Sequence, residues 1–417
     1  MKTMYGTVQA AKQFWKSACK ALKFIDYERS KADPCLFFSW EHGYLSLVML
    51  WVDDCLIVGN KENVIKIKEK LKTLFDCKDV GEMNEYVGCL VQRGQNWMRL
   101  TQPTQLRKFV DEFVLDGHRK EPRTPSEPGS VLNEGEQGKP LSHEEQRDYR
   151  KGVGILLHMM RWSRPEILNS VRELSRHLKE ATDKHYKAMI RVMKYCVATK
   201  ERGFLIKPER KWDGASAIKL RISGKSDSEY MKDPSRHSVN GWVCYLEGSA
   251  INCASKMMPV IALSVTEAEL YAAVQCVQDM MFAWRVISSI GLEVELPMLL
   301  EVDNKGAVDL CHNWSIGGRT RHVEVKMYFI RELQEKGILK VKWRSGKDMT
   351  ADIFTKNLNG PVFEAYAKDF VGDDQYMMKE NENIESEEEL NRKGRSQSEI
   401  ATLKLEYYKY WNKIVEA

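Results

Sequence analysis

The sequence predicts a mixed α/β (α+β) protein with more than one domain. Its 417 residues correspond to two to four domains of ordinary size, and 43% of them are hydrophobic, which is enough to form real cores. Short apolar segments that end in acidic or turn residues alternate with amphipathic helical patterns. Residues 122–141 are rich in Pro, Gly, Ser and Glu, which is typical of a linker between two structured parts.

Residues 1–121 have the pattern of a mixed α/β unit. Within residues 50–59, two apolar strands flank the acidic turn formed by Asp53 and Asp54. The spacing predicts a helix over residues 61–75, with a single apolar stripe made by Val64, Ile67, Leu71 and Leu74. Further elements are predicted as hairpin strands at 81–93 and 97–100 and a helix at 104–115.

Residues 142–214 are predicted to be a helical region. Ser142 followed by Glu145 has the pattern of a capping box, in which each side chain bonds the other's backbone N–H. Pro165 is expected to open a second helix, and residues 181–199 a third. We expect this region to be structural rather than catalytic.

Residues 215–360 alternate strand and helix patterns again. Strands are predicted at 217–223, 239–246, 250–255, 297–302 and 337–343, the fourth parallel because a long helix at 266–290 precedes it. That helix should bury a stripe made by Leu270, Val274, Val277, Met281 and Trp284.

Residues 361–417 are predicted to be a largely disordered tail. Residues 380–390 are dense in Glu, and residues 391–398 are polar and basic. Residues 402–415 could form a short helix with an apolar side.

Composition excludes several classes of protein. The apolar stretch 44–58 is interrupted by Asp53 and Asp54, so no membrane span is predicted, and lysines break any secretory pattern at the N-terminus. The ten cysteines include no Cys-x-x-Cys pair, which favours buried thiols in a reducing compartment over a zinc site or a disulfide framework. A net charge of +5 permits a polyanionic partner without requiring one.

Four carboxylates in the second half are candidate metal ligands: Asp227 follows a predicted strand, Glu269 lies in the long helix, Asp303 ends an apolar strand, and Asp352 begins a helix. Four carboxylates offer enough oxygens for two hard divalent cations. Such a pair, about 4 Å apart, stabilises the attacking and leaving oxygens when a phosphodiester is displaced in line. Any one acid alone could equally be solvated or cap a helix, and Glu229 and Glu267 are the nearest alternatives.

The order of motifs resembles the ribonuclease H domain of copia-type LTR retrotransposon polyproteins. The matching segments are 226–229, 236–241, 255–269, 303–304, 319–323 and 350–356. In the first half, the turn at Asp53 and Asp54 resembles the Tyr-x-Asp-Asp turn of reverse transcriptases, with Trp51 in place of Tyr. Further matches lie at 5–15, 30–37, 86–88 and 100–102, so the resemblance runs from Tyr5 to about Leu358.

The resemblance implies a fold and an activity. It implies a truncated reverse transcriptase palm over 1–121, a thumb- or connection-like region over 142–214, and a ribonuclease H-like domain with a mixed five-stranded sheet over 215–360. The implied reaction is hydrolysis of the RNA strand of an RNA–DNA hybrid with Mg²⁺ or Mn²⁺. The implied site residues are Asp227, Glu269, Asp303 and Asp352, with Asp53 and Asp54 as palm metal ligands.

Two details of the motifs refine this expectation. The motif Glu-Leu-Tyr-Ala-Ala that begins at Glu269 resembles the corresponding helix of ribonucleases H generally, which favours Glu269 over Glu267 as the metal ligand. Many ribonucleases H carry a mobile His before the last acid, but the loop 345–350 has none, so product release would rely on another group.

Basic residues near the acids are candidates for contact with the nucleic acid: Arg319, Arg321, His322, Lys256 and Lys347. Lys326 and Arg331 extend the first basic segment, and Lys340, Lys342 and Arg344 precede Lys347 in the second. A solvated basic face is the alternative, whereas phosphate contact predicts strong salt dependence.

Polymerase activity is a weaker expectation. Nucleotidyl transfer needs carboxylates from two strands, and the second acid would lie upstream of residue 5, so we expect this chain alone not to extend a primer. Two further hypotheses are a non-catalytic remnant that binds nucleic acid and a domesticated protein whose tail recruits a partner. We expect an intracellular location, cytoplasmic (in a virus-like particle) or nuclear, with no membrane partner; oligomeric state is left open.

Overall fold

The computed structural model describes residues 8–52, 54–113, 115, 121–132, 138–312, 324–373, 375 and 398–408. Within these ranges, the helices are too short or too polar to cross a lipid bilayer. The described residues form four sheets, one of six strands, two of five and one of two, with helices packed against them.

The first elements build an α/β unit, which we call the palm-like unit after the sequence prediction: α1 Val8–Phe24, β1 Glu28–Arg29, β2 Leu36–Glu41, β3 Tyr44–Trp51, β4 Asp54–Asn60, α2 Lys61–Leu74 and β5 Phe75–Glu82. The predicted hairpin is confirmed, since β3 pairs with β4 and Trp51 lies opposite Asp54. The predicted amphipathic helix is α2, and all four stripe residues named above are buried. Asn60 caps α2 by accepting a hydrogen bond from the backbone N–H of Asn63.

The next elements are β6 Glu85–Tyr86, β7 Cys89–Arg93, β8 Met98–Thr101, α3 Pro103–Phe113, α4 His143–Trp162, η1 Pro165–Ile167, α5 Leu168–Ser175, α6 Asp183–Ala198 and β9 Gly203–Ile206. The capping box at the start of α4 is confirmed, because Ser142 and Glu145 each bond the other's backbone N–H. Helices α4, α5 and α6 pack into one hydrophobic core.

The remaining elements are β10 Lys219–Leu220, β11 Ile222–Glu229, β12 Val239–Leu246, β13 Ser249–Met257, α7 Val265–Ser289, β14 Glu293–Val294, β15 Met298–Val302, α8 Lys305–His312, α9 Glu324–Glu335, β16 Leu339–Trp343, η2 Gly346–Asp348, η3 Thr350–Phe354, α10 Gly360–Ala367, β17 Val371–Gly372 and β18 Ser398–Tyr408. Five of these strands form one mixed sheet in the order β13-β12-β11-β15-β16. β15 is parallel to both β11 and β16, as the preceding long helix predicted.

The strand that carries Asp227 is longer than predicted. We expected a strand at 217–223 that ended before Asp227, but β11 continues to Glu229. The reason is that β11 pairs with β12 without interruption, from Ile222 opposite Leu246 to Glu229 opposite Val239. Asp227 therefore lies inside a central strand.

Helix α7 covers this sheet with a slightly different stripe from the predicted one. Leu270, Val274 and Val277 are buried, but Met280 rather than Met281 is fully buried, and Trp284 is only partly covered. Met280 and Cys276 lie against Gly224 of β11, so contact with the sheet places the buried face one residue earlier than the predicted stripe.

The end of the chain departs from the predicted tail in two places. The side chains of Phe363, Tyr366 and Phe370 are buried in the core of the helical region, so α10 belongs to that core. The helix expected at 402–415 is wrong for residues 402–408, which lie in strand β18. Strand β18 pairs antiparallel with both β4 and β5, and these ladder hydrogen bonds override the helical pattern. Residues 380–397 and 409–415 lie outside the described residues.

Candidate metal centre

The central sheet brings three of the four predicted acids together. Asp227 lies in β11, and Asp303 directly follows β15, which pairs parallel with β11 so that Ser226 lies opposite Val302. Because the two strands run in the same direction, the next residues in each, Asp227 and Asp303, lie at the same edge of the sheet. Glu269 projects from the second turn of α7. One carboxylate oxygen from each of these three acids lies within 4.8 Å of the other two.

These three carboxylates are held where water is scarce. Asp227 and Glu269 are 1% and 3% exposed, and Asp303 is half-buried. Burial, and then the Asp227 and Asp303 carboxylates, raise the pKa of Glu269 well above its ordinary value. Burial and the neighbouring Asp227 also raise the pKa of Asp303. Carboxylates only accept hydrogen bonds, so crowding them is unfavourable unless a cation or a proton lies among them.

One oxygen in the cluster has no partner. Glu269 Oε2 is buried and has no hydrogen bond within the described residues. Nearly all buried polar atoms in folded proteins are hydrogen-bonded, so an unpartnered oxygen on a carboxylate that lies beside two others needs an explanation. An all-oxygen set of this kind fits a hard divalent cation such as Mg²⁺ or Mn²⁺, and such an ion would satisfy the orphan oxygen.

The fourth acid, Asp352, stands beside this group and is joined to it by a lysine. Lys356 Nζ lies 3.1 Å from Asp227 Oδ1 and 3.2 Å from Asp352 Oδ1. Burial, and then the charge of Asp227, raise the pKa of Asp352 to about 8, although Lys356 opposes the shift. The structure therefore groups Asp227, Glu269 and Asp303 directly and Asp352 through Lys356.

Sequence reasoning did not assign roles to two residues of this site, Thr355 and Lys356. Thr355 Oγ1 donates a hydrogen bond to Asp227 Oδ2, while Lys356 binds the other oxygen of the same carboxylate. Burial lowers the pKa of Lys356, but Asp227 and Asp352 outweigh it, and the pKa lies above its ordinary value. The ion pair between Lys356 and Asp352 could have been predicted from the sequence, because the two residues have the helical i,i+4 spacing that favours such pairs.

Gly241 is a further residue that the sequence motifs contained without an assigned role. It lies opposite Asp227 in the ladder between β11 and β12. A Cβ atom at this position would lie 2.7 Å from Thr355 Cγ2 and 2.8 Å from the Cβ of Phe354. Only glycine therefore lets the segment that carries Thr355 and Asp352 approach the sheet so closely.

The two alternative acids have other partners. Glu267 Oε2 accepts a hydrogen bond from the backbone N–H of Leu263 at 2.7 Å, so Glu267 helps to cap α7. Glu229 pairs with Lys232 at 3.3 Å and lies 4.0 Å from Lys356. The structure places Glu269, rather than Glu267, in the acidic cluster.

Two of the predicted nucleic-acid residues can be located. Lys347 is exposed, and its neighbour Gly346 lies beside the cluster, since a Cβ there would be 3.5 Å from Asp303 Oδ2. Lys256 is exposed and its Nζ lies 5.1 Å from the ring centre of Trp242. Arg319, Arg321, His322 and the palm residue Asp53 lie outside the described residues.

Parts of the two predicted basic segments have structural partners instead. Arg331 is 2% exposed and donates hydrogen bonds to the backbone oxygen of Leu310, so it is not available to a phosphate. Arg344 is paired with Glu301 at 2.8 Å. Lys340 and Lys342 are exposed on β16, which leaves them accessible to a polyanion.

Asp54 lies at the start of β4, directly after the acidic turn, and is half-buried. On the other side of β4, strand β18 places Lys404 opposite Asp54. In the ladder, the backbone that neighbours Asp54 therefore comes from the C-terminal part of the chain.

The fold and the cluster define a class of protein. A mixed sheet in the order β13-β12-β11-β15-β16, with acids in β11, after β15 and at the start of α7, is the arrangement of a ribonuclease H-like domain. A compost-derived ribonuclease H1, LC11, is 16% identical to the chain, with a TM-score of 0.26, and the match covers 32% of this chain and 91% of that one. The strand order, rather than this similarity, defines the fold.

Residues 1–127 match the family model described as reverse transcriptase (RNA-dependent DNA polymerase). The chain is also 28% identical over 381 residues to the retrovirus-related Pol polyprotein from transposon TNT 1-94 of Nicotiana tabacum, covering 89% of this chain and 28% of that protein. It is 26% identical over 371 residues to the Pol polyprotein from transposon RE1 of Arabidopsis thaliana, covering 88% and 24% respectively.

Over most of its length the chain is similar to retrovirus-related Pol polyproteins of plant transposons, and residues 1–127 match the reverse transcriptase model, as the ordered motifs predicted. It spans about a quarter of the length of these curated relatives.

Proposed function

We propose that the nuclease-like half of this chain hydrolyses the RNA strand of RNA–DNA hybrids with Mg²⁺ or Mn²⁺. The observation that carries the proposal is the cluster of Asp227, Glu269 and Asp303, in which the buried Glu269 Oε2 has no hydrogen-bond partner among the described residues. The names of the relatives support a substrate that is a nucleic acid, since they are Pol polyproteins.

Asp227, Glu269 and Asp303 would hold the cation, with Asp352 beside them. When bound, divalent cations polarise the scissile phosphate and make water a better nucleophile. The chain itself contributes a rigid frame, because Asp227 lies in a central strand that is paired on both sides. The half-buried Asp303 marks the open side of the cluster, from which a phosphodiester would approach.

Exposed Lys347 borders that open side and would bind the backbone of the substrate. Contacts of this kind carry no sequence information and weaken as salt is added. Discrimination of RNA from DNA would depend on recognition of the 2′-hydroxyl next to the cut. Arg319, Arg321, His322 and Lys256 remain proposed contacts of the hybrid.

The test is cleavage of a labelled RNA–DNA hybrid by the purified chain, with and without Mg²⁺. We expect Mg²⁺-dependent cuts in the RNA strand, and no cleavage of the matching DNA duplex. Asp303→Asn should abolish cleavage, because it removes one of the three clustered charges. Asp309→Asn is the matched control, since it makes the same change at an exposed acid on α8 and should retain activity.

Equal cleavage by wild type and Asp303→Asn would reveal a contaminating nuclease and contradict the proposal. Absence of cleavage by a chain that still binds the hybrid would favour the non-catalytic remnant. One observation supports that second candidate: the ammonium group of Lys356 already lies on Asp227, where a cation would bind. We also propose that this chain does not extend a primer, and nucleotide incorporation by the same preparation would contradict this.

A further inference from the structure

We propose that Lys356 is a built-in competitor of the divalent cation, which neutralises Asp227 and Asp352 when no metal is bound and must leave them for a metal to bind. The inference rests on the proposed function, because it concerns the same acidic centre. It adds a residue that governs how readily the centre gains and loses its metal.

The geometry places the ammonium group between two of the acids. Lys356 Nζ is 3.1 Å from Asp227 Oδ1, 3.2 Å from Asp352 Oδ1 and 4.0 Å from Glu229 Oε2. Thr355 binds the second oxygen of Asp227, so both oxygens of this carboxylate are engaged. A cation that is shared by Asp227, Glu269 and Asp303 would bind an Asp227 oxygen that already accepts a hydrogen bond from Lys356 or Thr355, and the nearby charge of Lys356 would oppose it.

One ammonium group cannot satisfy the whole cluster. Glu269 Oε2 remains without a hydrogen bond while Lys356 contacts Asp227 and Asp352. A divalent cation carries twice the charge and accepts more oxygen ligands than a lysine offers donors. The centre is therefore only partly neutralised by Lys356, which leaves a driving force for metal to enter.

Lys356 also has room to withdraw. Its side chain is 29% exposed, whereas that of Asp227 is 1% exposed, so the lysine enters the cluster from the solvent side. A lysine is a compact charge on a flexible four-carbon stem, which allows the ammonium group to move while the backbone stays in place. Repulsion between the ammonium group and an incoming cation would favour this movement.

This role answers a question that the sequence raised. The loop 345–350 lacks the histidine that many ribonucleases H carry before the last acid. Lys356 is a positively charged group that contacts the last acid, Asp352, and it can return to Asp227 as the metal departs. We assign to it the displacement of metal, rather than contact with the substrate.

The first experiment measures binding of Mn²⁺ to the full chain by electron paramagnetic resonance, without any nucleic acid. Lys356→Met keeps the length of the stem and removes the charge, and we expect it to lower the Kd for Mn²⁺ at least about tenfold. Lys356→Arg keeps the charge and should stay close to wild type. An unchanged or raised Kd in Lys356→Met would overturn the proposal.

The matched control is Lys187→Met. Lys187 forms the same i,i+4 pair with an aspartate, Asp183, at 2.7 Å, but on an exposed helix surface away from the cluster. It makes the same change in net charge, so a fall in Kd in both variants would show a general charge effect and contradict the assignment.

A second experiment uses the wild-type chain, and so does not depend on how the variants fold. An amine-reactive acylating reagent is applied with and without Mg²⁺, and modification of each lysine is quantified by mass spectrometry. We expect Lys356 to react faster when Mg²⁺ is present and Lys187 to be unaffected. Equal or slower modification of Lys356 would overturn the proposal.

Neither readout involves cleavage. If the chain does not cleave the hybrid but Lys356 competes with the metal as expected, only the proposed function is contradicted. If the chain cleaves the hybrid but Lys356→Met does not bind Mn²⁺ more tightly, only the role of Lys356 is contradicted.

Discussion

Asp227 is held on three sides by residues with different tasks. Thr355 and Lys356 bind its two oxygens, and Gly241 lies opposite it in the sheet. The absence of a side chain at Gly241 allows η3 to pack directly on β12, with the backbone oxygen of Ala351 only 3.1 Å from where a Cβ would be. A glycine in a strand thus determines where the last acid stands.

Gly241→Ala tests this dependence. We expect it to lower the free energy of unfolding by about 1–3 kcal/mol, because the new methyl group would overlap Phe354 and Thr355 and force η3 away. We also expect a smaller rise in Tm on addition of Mg²⁺, since Asp352 moves with η3. Urea unfolding and thermal melts measure both effects.

The control for this substitution is Gly154→Ala. Gly154 is exposed in α4, and a Cβ there would meet nothing within 4 Å. Alanine should stabilise the helix by about 0.5–1 kcal/mol. If Gly241→Ala is as stable as Gly154→Ala and shows the same rise in Tm with Mg²⁺, the close approach at Gly241 does not position η3.

Strand β18 is the element that sequence patterns misjudged most. It comes from the C-terminal part of the chain, yet it lies between β4 and β5, so that the palm-like sheet has the order β1-β2-β3-β4-β18-β5. Without it, β4 and β5 would each present an open edge, which is prone to pair with other chains. The same strand places Lys404 opposite Asp54.

Ala401→Pro tests whether this strand completes the sheet. Ala401 lies opposite Ile57 in β4 and opposite Glu82 in β5. Proline removes a backbone donor from a central strand, so we expect a loss of about 1 kcal/mol or more and faster proteolysis after residue 375. The control Ala401→Val keeps the N–H and favours a strand. Equal protease resistance and equal Tm in both variants would rule out a paired β18.

The whole molecule is connected by the helical region. Its core includes Val243 and Tyr245 from the sheet that carries Asp227, together with residues of η3 and α10. The N-terminal α/β unit touches the half with the acidic cluster as well, since Trp40 Nε1 donates to the backbone oxygen of Ile290 at 2.9 Å and the hydroxyls of Ser30 and Ser289 lie 2.7 Å apart. Changes in the helical region are therefore expected to affect the stability of the whole chain.

His177 gives that region a predictable response to acid. It is 3% exposed and stacks on His185, with ring centres 3.8 Å apart. Burial, and then the neighbouring His185, lower the pKa of His177 to about 4. In the unfolded chain the pKa would be about 6.5, so between these two values the unfolded state binds the extra proton.

Stability should therefore fall as the pH is lowered from about 6.5 to 4, by about 2–3 kcal/mol from this residue. His177→Phe keeps the stacked ring and cannot titrate, so it should lose less stability over the same range. Urea unfolding of both proteins between pH 7 and pH 4.5 measures the difference. Parallel pH profiles would show that His177 is protonated equally in the folded and unfolded chains.

The sequence alone predicted the candidate metal ligands and the elements that hold them. Ordered motifs identified Asp227, Glu269, Asp303 and Asp352, and periodicity located α2, α4, α7 and β15, because acid identity and apolar spacing are local properties. The tertiary structure decided how these parts meet. Its packing put Glu269 rather than Glu267 into the cluster, Lys356 onto Asp227, Arg331 into a core and β18 into a distant sheet. Such contacts join residues far apart in the chain, and no local pattern encodes which of several similar side chains will meet.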